Sequence, residues 1–397
     1  MSSHTEKVYE KEAYTSQFFA KVIDVDGDLV ILDRTAFYPG GGGQDPDSGM
    51  LQGCPVVEVR QKDGVVLHKV PGNAFTIGQE VQGTVDMERR LDLMRAHTGE
   101  HLLFSALNRL VPDLELVKIS ITPAKKSLIV RGELNLDIVS EAEKFVNSAI
   151  ASGLNIKEEI VNRDDPKVLD ARVKLERIYG DKIRLIRIGD VDLAACSGIH
   201  VKNTSEIGML LVERLVSAKP QGDFEIEFDV GPIAVQKALS FKTIALKSAA
   251  ILGSGPEDVV SALENLRTEA TMAKDALRSY VKQAVEDLEP EIIGGVPVYH
   301  MISRGADRRT LSEEATKKVQ DGRSVCILLD RGERTTIVIA SGKRSGKDAN
   351  IILKKCLEPL GGKGGGNSTF ATGAIESGAK VEDVLENVKR ALSETNV

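Results

Sequence analysis

Two short stretches about a hundred residues apart constrain this chain more than anything else in it. They are "HTGEH", residues 97 to 101, and "CSGIH", residues 196 to 200. Each places two metal-ligating residue types four positions apart: His97 and His101, then Cys196 and His200. On a helix, residues at i and i+4 share a face. The run from Met87 has helical spacing, with Leu91, Met94, His97, His101, Leu102 and Leu107 on one broad face and Pro112 beyond its end. One thiolate and three imidazoles make a tetrahedral zinc set. If one Zn2+ takes all four, the chain must fold so that the helix meets the distant turn.

Taken alone, His97 and His101 are a weak signal, better read as ordinary core or surface histidines. The matched second pair is what favours zinc. The spacing differs from that of a metalloprotease helix, where a glutamate directly follows the first histidine. Here Glu100 precedes His101 and points away from the line through the imidazoles, which suits the surface or a place behind the ligands. Four protein ligands describe a closed structural ion, and a catalytic ion keeps one position open. Spacing therefore leaves both uses open.

Around these motifs the periodicity changes along the chain, giving the expectation of an α+β multidomain protein. Residues 1–90 read as short strands with Asp26-Gly27 and Asp63-Gly64 turns, a small β-barrel or curled sheet. Residues 91–231 mix the zinc helix with strands "SLIVRGEL", "DKIRLIRIGDVDLAA", "GMLLVERLVSA" and "FEIEFDVG". A helix there is expected to open on a Ser140-x-x-Glu143 capping box and to stop at Gly153. Residues 232–290 are helical, broken by "GSGPED". Val259, Leu263, Leu266, Ala270, Ala273, Leu277, Tyr280 and Ala284 form a heptad seam there, either a helix packed on its own domain or the coiled coil of a homodimer. Residues 291–397 read as a separate α/β unit, with strands "VPVYHMIS", "SVCILLD" and "TTIVIAS" and a "GGKGGG" run between its last two helices.

Composition narrows the class. At 397 residues the chain exceeds one ordinary domain. It has no run of 18 apolar residues and opens on a polar stretch, Met1 to Glu12, so neither a membrane span nor a signal region is expected. Cys54, Cys196, Cys326 and Cys356 are too scattered for a disulfide framework, which points to a reducing, cytoplasmic setting. A net charge of −7 excludes general affinity for nucleic acid, so any contact must use local patches. Lys118, Lys125, Lys126 and Arg131 form one candidate, Arg304, Arg308 and Arg309 a second, and Lys343, Arg344 and Lys347 a third; each reads as well as a solvated face.

"HTGEHLL" followed by "CSGIHV" resembles the zinc motifs of the editing domain of alanyl-tRNA synthetases and of their free-standing relatives, the alanyl-tRNA editing proteins. "DRTAFYPGGGGQDPDSGML", residues 33–51, resembles the glycine-rich motif of that module, and "PLGGKGGGNSTFATGA", residues 359–374, the glycine-rich segment of the synthetases' C-terminal domain. The three motifs in this order span nearly the whole chain. It departs at Pro39-Gly40, where an acidic residue is frequent, and at Ile199, where the synthetases usually carry Thr. The β-rich module begins near residue 1, so the resemblance implies the long free-standing type, without an aminoacylation domain.

That resemblance implies a deacylase of tRNA(Ala) mischarged with Ser or Gly, with one Zn2+ held by His97, His101, Cys196 and His200. It implies catalytic parts for Thr35, whose hydroxyl would meet that of serine, and for Gln44, which would bond substrate or position water. Gly41, Gly42 and Gly43 would let backbone N–H groups approach the ester or terminal ribose. Lys363 would meet a tRNA phosphate. The bland readings are a strand threonine, a turn glutamine and a flexible loop. Two other functions compete: a tRNA-binding protein whose zinc only holds the fold, and an unrelated zinc hydrolase of small esters or amides. A small-molecule enzyme needs neither the seam nor the glycine-rich C-terminal unit.

Overall fold

The Asp-Gly turns close the hairpins that their composition predicts. Asp63 and Gly64 both take positive φ, 50° and 84°, the pattern of a two-residue I′ turn. A computed structural model of the protein describes residues 4–178, 180–332, 334–376 and 381–394. The chain divides into two compact units, Met1–Leu246 and Lys247–Val397.

In the first unit, seven strands form one sheet: β1 (Gln17–Asp26), β2 (Leu29–Leu32), β3 (Gly49–Leu51), β4 (Cys54–Val56), β5 (Glu58–Lys62), β6 (Val65–Lys69) and β7 (Glu80–Val85). Their order is β4-β3-β7-β1-β2-β6-β5. The two edge strands, β4 and β5, are separated in sequence by Val57 alone, so the sheet curls until it is nearly closed. Alternate residues point inward, and Val22, Val30, Leu32 and Val66 are fully buried.

Helix α1 (Met87–Leu110) follows, capped by Asp86, whose carboxylate accepts from the Arg89 N–H at 3.1 Å. Its single apolar face was an underestimate. From Leu93 to Leu107 it is buried almost all round, including Thr98, Gly99 and Glu100. Glu100 is therefore not a surface residue: it is fully buried, and both carboxylate oxygens lack a hydrogen-bond partner within the chain.

The enclosure comes from β8 (Glu115–Ile121), β9 (Lys126–Arg131), α2 (Leu136–Ala151), β10 (Ile156–Asn162), β11 (Lys182–Ile188), β12 (Asp192–Ala195), β13 (Leu210–Ser217) and β14 (Asp223–Val230). These form a sheet ordered β8-β9-β14-β13 and another ordered β10-β11-β12. Two expectations are corrected here. "DKIRLIRIGDVDLAA" is a hairpin of two strands, turning at Gly189 with φ 47°. Helix α2 starts at Leu136 with Asn135 as its cap, so Ser140 and Glu143 lie inside it. Glu143 instead accepts from the Val212 N–H of β13 at 3.2 Å.

Helices α3 (Gly231–Leu252) and α4 (Val259–Glu286) fill the expected helical region. Most of the heptad seam of α4 is solvent-facing, with Leu263 and Leu266 half exposed and Tyr280 70% exposed, while Leu277 packs partly against the second unit's core. Only the end of α4 is buried, through Val281 and Val285, one position off the seam. No helix among the described residues is long and apolar enough to cross a membrane.

The second unit also contains β15 (Glu291–Ile293), β16 (Val296–Ser303), α5 (Arg308–Lys318), β17 (Val325–Arg331), β18 (Arg334–Ser341), α6 (Ala349–Leu357), β19 (Lys363–Gly366), β20 (Phe370–Glu376) and α7 (Val381–Glu394). Its sheet runs β15-β16-β17-β18-β20-β19, with β16 and β17 parallel. Cys326 and Leu328 face α5, whereas Ile327 and Leu329 face α6 and α7. Burial on both faces explains the continuous apolar run of β17. Within the glycine-rich run, Lys363 to Gly366 form an exposed edge strand paired with β20.

Candidate metal centre

Helix α1 and the turn after β12 bring His97, His101, Cys196 and His200 together. One ligand atom from each lies within 4.8 Å of all the others. The imidazole centroids are 5.5 Å apart for His97–His101, 4.7 Å for His97–His200 and 4.8 Å for His101–His200. Cys196 Sγ sits 3.3 Å from His97 Nε2.

Every imidazole is held by its Nδ1. His97 Nδ1 donates to Gln44 Oε1 at 2.8 Å, His101 Nδ1 to Asp192 Oδ2 at 2.7 Å, and His200 Nδ1 to Thr98 Oγ1 at 3.2 Å. The Thr98 hydroxyl is free to accept because it spends its own hydrogen on the Met94 carbonyl, 2.9 Å away. All three Nε2 atoms are thereby freed for one ion, and His200 Nε2 is buried with no hydrogen-bond partner in the chain. Such Nδ1 partners set tautomer and ring orientation at zinc sites. The donor set and its orphaned nitrogen fit zinc.

Electrostatics agree with that fit at Cys196 and His200. Burial would raise the Cys196 thiol, but the three imidazoles outweigh it and hold the thiol well below its usual value. Burial opposes a proton on His101, but Asp192 and Cys196 outweigh it and lift that imidazole to about 10, so an ion has to displace that proton before Nε2 can bind it. Burial pulls His200 down to about 3.

The glycine loop lies directly against the cluster. Gly42 has φ 60°, and a Cβ there would stand 3.2 Å from His97 Cε1 and 3.5 Å from Cys196 Sγ. At Gly43 a Cβ would meet Ile119 at 2.8 Å, and at Gly41 it would crowd Ser197 Oγ at 3.1 Å. The loop is docked on β8, where Ile121 N–H donates to the Gly43 carbonyl at 2.8 Å. Arg184 clamps the ligand turn, its guanidinium donating to the Cys196 and Gly198 carbonyls at 2.8 Å each. Gly42, Gly43, His97, His101 and Cys196 line a cleft of about 1040 Å³, with β8 and residues 170–174 completing its walls.

Of the residues expected at the site, Gln44, Gly41, Gly42, Gly43 and the four ligands are brought together. Gln44 meets His97 and not open solvent. Thr35 is elsewhere, fully buried among the strands, donating to His68 Nε2 at 2.8 Å and accepting from the Phe37 N–H at 3.1 Å. Lys363 belongs to the second unit. The first basic patch dissolves into ion pairs: Lys126 is buried against Asp92 and Asp229, Lys125 pairs with Glu225 and Glu227, and Arg131 pairs with Asp223. Lys118 stays exposed on the cleft wall. In the second unit Lys347 is buried, its ammonium bonded to the Leu392 carbonyl, and Arg309 pairs with Glu313. Sequence reasoning missed Asp192, Arg172 and Arg184, which no local pattern marks; Thr98 lies inside the histidine motif itself.

Comparison with known proteins adds three family matches. Residues 2–89 match tRNA synthetases class II (A), residues 183–219 the threonyl and alanyl tRNA synthetase second additional domain, and residues 295–394 the DHHA1 domain. The alanyl-tRNA editing protein AlaX-L of Pyrococcus horikoshii is 31% identical over 96% of this chain and 96% of its own length. Alanine–tRNA ligases of Pyrobaculum calidifontis and Caldivirga maquilingensis are 30% and 28% identical over 98% of this chain. The chain spans only 44% and 45% of those two ligases.

Proposed function

The chain belongs to the alanyl-tRNA editing protein family, and on that premise we propose that it is a trans-editing hydrolase, cleaving the ester of Ser-tRNA(Ala) and, as a second substrate, Gly-tRNA(Ala), while sparing Ala-tRNA(Ala). The need is energetic. One methyl is worth only about 1–3 kcal/mol to a binding pocket, and an added hydroxyl is poorly rejected, so an alanine site alone admits both glycine and serine.

The observation that carries this reading is the cluster on the cleft wall, with a side-chain-free loop against it. His97, His101, Cys196 and His200 would hold Zn2+, which supplies Lewis-acid polarisation and orientation of the aminoacyl end. Gln44 acts as a positioning residue, directing His97 Nε2 inward. Its Nε2, buried and without a partner in the chain, is a donor left for substrate or water. Gly42 and Gly43 let the loop lie against His97 and Ile119, where a Cβ would crowd them, and leave its backbone bare toward the ester and ribose. Thr35 works at one remove, anchoring Phe37 and with it the start of the loop.

Lys363, exposed on its edge strand, is offered to a tRNA phosphate. The solvent-facing seam of α4 pairs with its copy in a homodimer. The proposed setting is the cytoplasm, where charged tRNA is used.

A second reading, a tRNA-binding protein with a structural ion, draws on the four protein ligands, a number typical of closed sites. One experiment separates the two. Purified protein and a His101→Ala variant are incubated with Ser-, Gly- and Ala-tRNA(Ala), and ester loss is followed. Loss of Ser or Gly but not Ala, abolished in the variant, supports the hydrolase. Binding without any ester loss supports the structural ion.

A further inference from the structure

Arg172 stands on the cleft wall without a role in the ligand set or the glycine loop. Its backbone is locked beside β12: its N–H donates to Leu193 O at 2.8 Å and its carbonyl accepts from Ala195 N–H at 3.1 Å. The guanidinium stacks over the Phe104 ring, 4.8 Å from the centroid. One terminal nitrogen lies 3.3 Å from Asp192 Oδ2 and 3.4 Å from His101 Nδ1. Nε is buried with no partner in the chain, and the other terminal nitrogen makes no hydrogen bond to the described residues. The side chain is 28% exposed. Asp192 is already served by His101 at 2.7 Å, so the second terminal nitrogen of a rigid guanidinium is left over at the cleft.

We propose that this free nitrogen grips the phosphodiester on the 5′ side of the terminal nucleoside of the acceptor strand. The proposal rests on the hydrolase reading and names the next contact outward from the ester. A guanidinium repels the ammonium of an aminoacyl ester, and the terminal ribose and base carry no charge. The nearest anion in such a substrate is that phosphodiester, one ribose away. Arg172 stands beside His101 Nδ1, the side of that imidazole turned away from Nε2. Stacking on Phe104 and the Asp192 contact hold it ready for a charge-assisted hydrogen bond to one phosphate oxygen. Arg172 is thus a substrate-binding residue that sets how far the strand end reaches in.

The test uses the full, zinc-loaded chain with Arg172→Gln and Arg172→Lys. Zinc per chain is measured, and binding of deacylated tRNA(Ala) is followed from 50 to 200 mM KCl, which needs no turnover. Arg172→Gln is expected to keep its zinc and bind about tenfold to a hundredfold more weakly. Its plot of log affinity against log salt should be shallower by about 0.7, the signature of one lost single-strand phosphate contact. Arg172→Lys should restore the slope but not all of the affinity, and for the mischarged substrate KM should rise in Arg172→Gln with kcat held. An unchanged salt slope, or a loss of affinity that merely tracks lost zinc, overturns the proposal and leaves Arg172 as a counter-ion of Asp192. If wild type hydrolyses the ester and the slope does not move, only this inference falls. If wild type binds tRNA without hydrolysis and the slope does move, Arg172 keeps its role and the hydrolase reading falls. Wild type that neither binds nor hydrolyses overturns both.

Discussion

Asp192 and His101 meet across 91 residues of sequence, and that distance explains why half of the site escapes a reading of the chain. The four ligands are legible because their types and their repeated spacing carry the chemistry on their own. What orients them is tertiary: Asp192, Thr98 and Gln44 are ordinary polar residues until the fold puts each against an Nδ1. Replacing Asp192 with Asn removes the carboxylate charge at His101 and the Arg172 ion pair. Zinc affinity should fall about 10- to 100-fold, measured by competition with a chromophoric chelator, and an unchanged affinity would sink the orienting role. His68 contributes a pH dependence away from the ligand cluster. Burial holds its imidazole down to about 4, below the unfolded value of 6.5. A folded value below the unfolded one means that protons favour unfolding. The stabilisation is complete above pH 6.5 and is lost as pH falls from there to about 4, at a cost of about 3 kcal/mol. Urea midpoints at pH 7.5 and 4.5 should therefore draw together in His68→Gln, which cannot be protonated. Equal losses in both proteins would assign the acid sensitivity elsewhere.

At the scale of elements, the apolar pattern placed the curled sheet and the doubly buried β17, and misjudged a helix that the fold encloses nearly all round. The alternation in β1 and the Asp-Gly turns gave the curled sheet. Helix α1 was read as amphipathic because its polar residues look solvated on paper, yet Thr98 and Glu100 lie in its enclosed middle. Strand β19 was unreadable because glycines have neither strand preference nor an apolar face; pairing with β20 alone makes it a strand. The start of α2 shows how a motif can mislead. Ser140-x-x-Glu143 has the capping-box pattern, but Asn135 accepts the Ile138 N–H at 2.9 Å and does the capping. Asn135→Ala should cost about 1 kcal/mol, while Ser140→Ala should stay within about 0.5 kcal/mol, both read from urea unfolding. The reverse order would restore the later start. Helix α4 makes its own prediction. Leu263→Glu with Leu266→Glu should convert a dimer to a monomer in sedimentation, leaving Val281 and Val285 packed. A wild-type monomer at micromolar concentration would rule the seam out.

The whole molecule is two units with separate cores, and the cluster is confined to one of them. The first unit holds His97, His101, Cys196 and His200, and the second has its own apolar sheet faces around β17. An ion that binds only the folded form stabilises it by RT ln(1 + [L]/Kd), about 4 kcal/mol at a thousandfold excess over Kd. For a unit of this size, each kcal/mol moves the melting midpoint by about 2–4 °C. Calorimetry of the zinc-loaded chain against the same chain in chelator should therefore show one transition shifted by roughly 8–16 °C and another left in place. Tryptic fragments recovered after partial heating in chelator would identify the surviving unit as the one containing β17. Two transitions moving together would mean that the units fold as one. No shift at all would mean that zinc binds too weakly to be resident, and the orphaned His200 Nε2 would then need another partner.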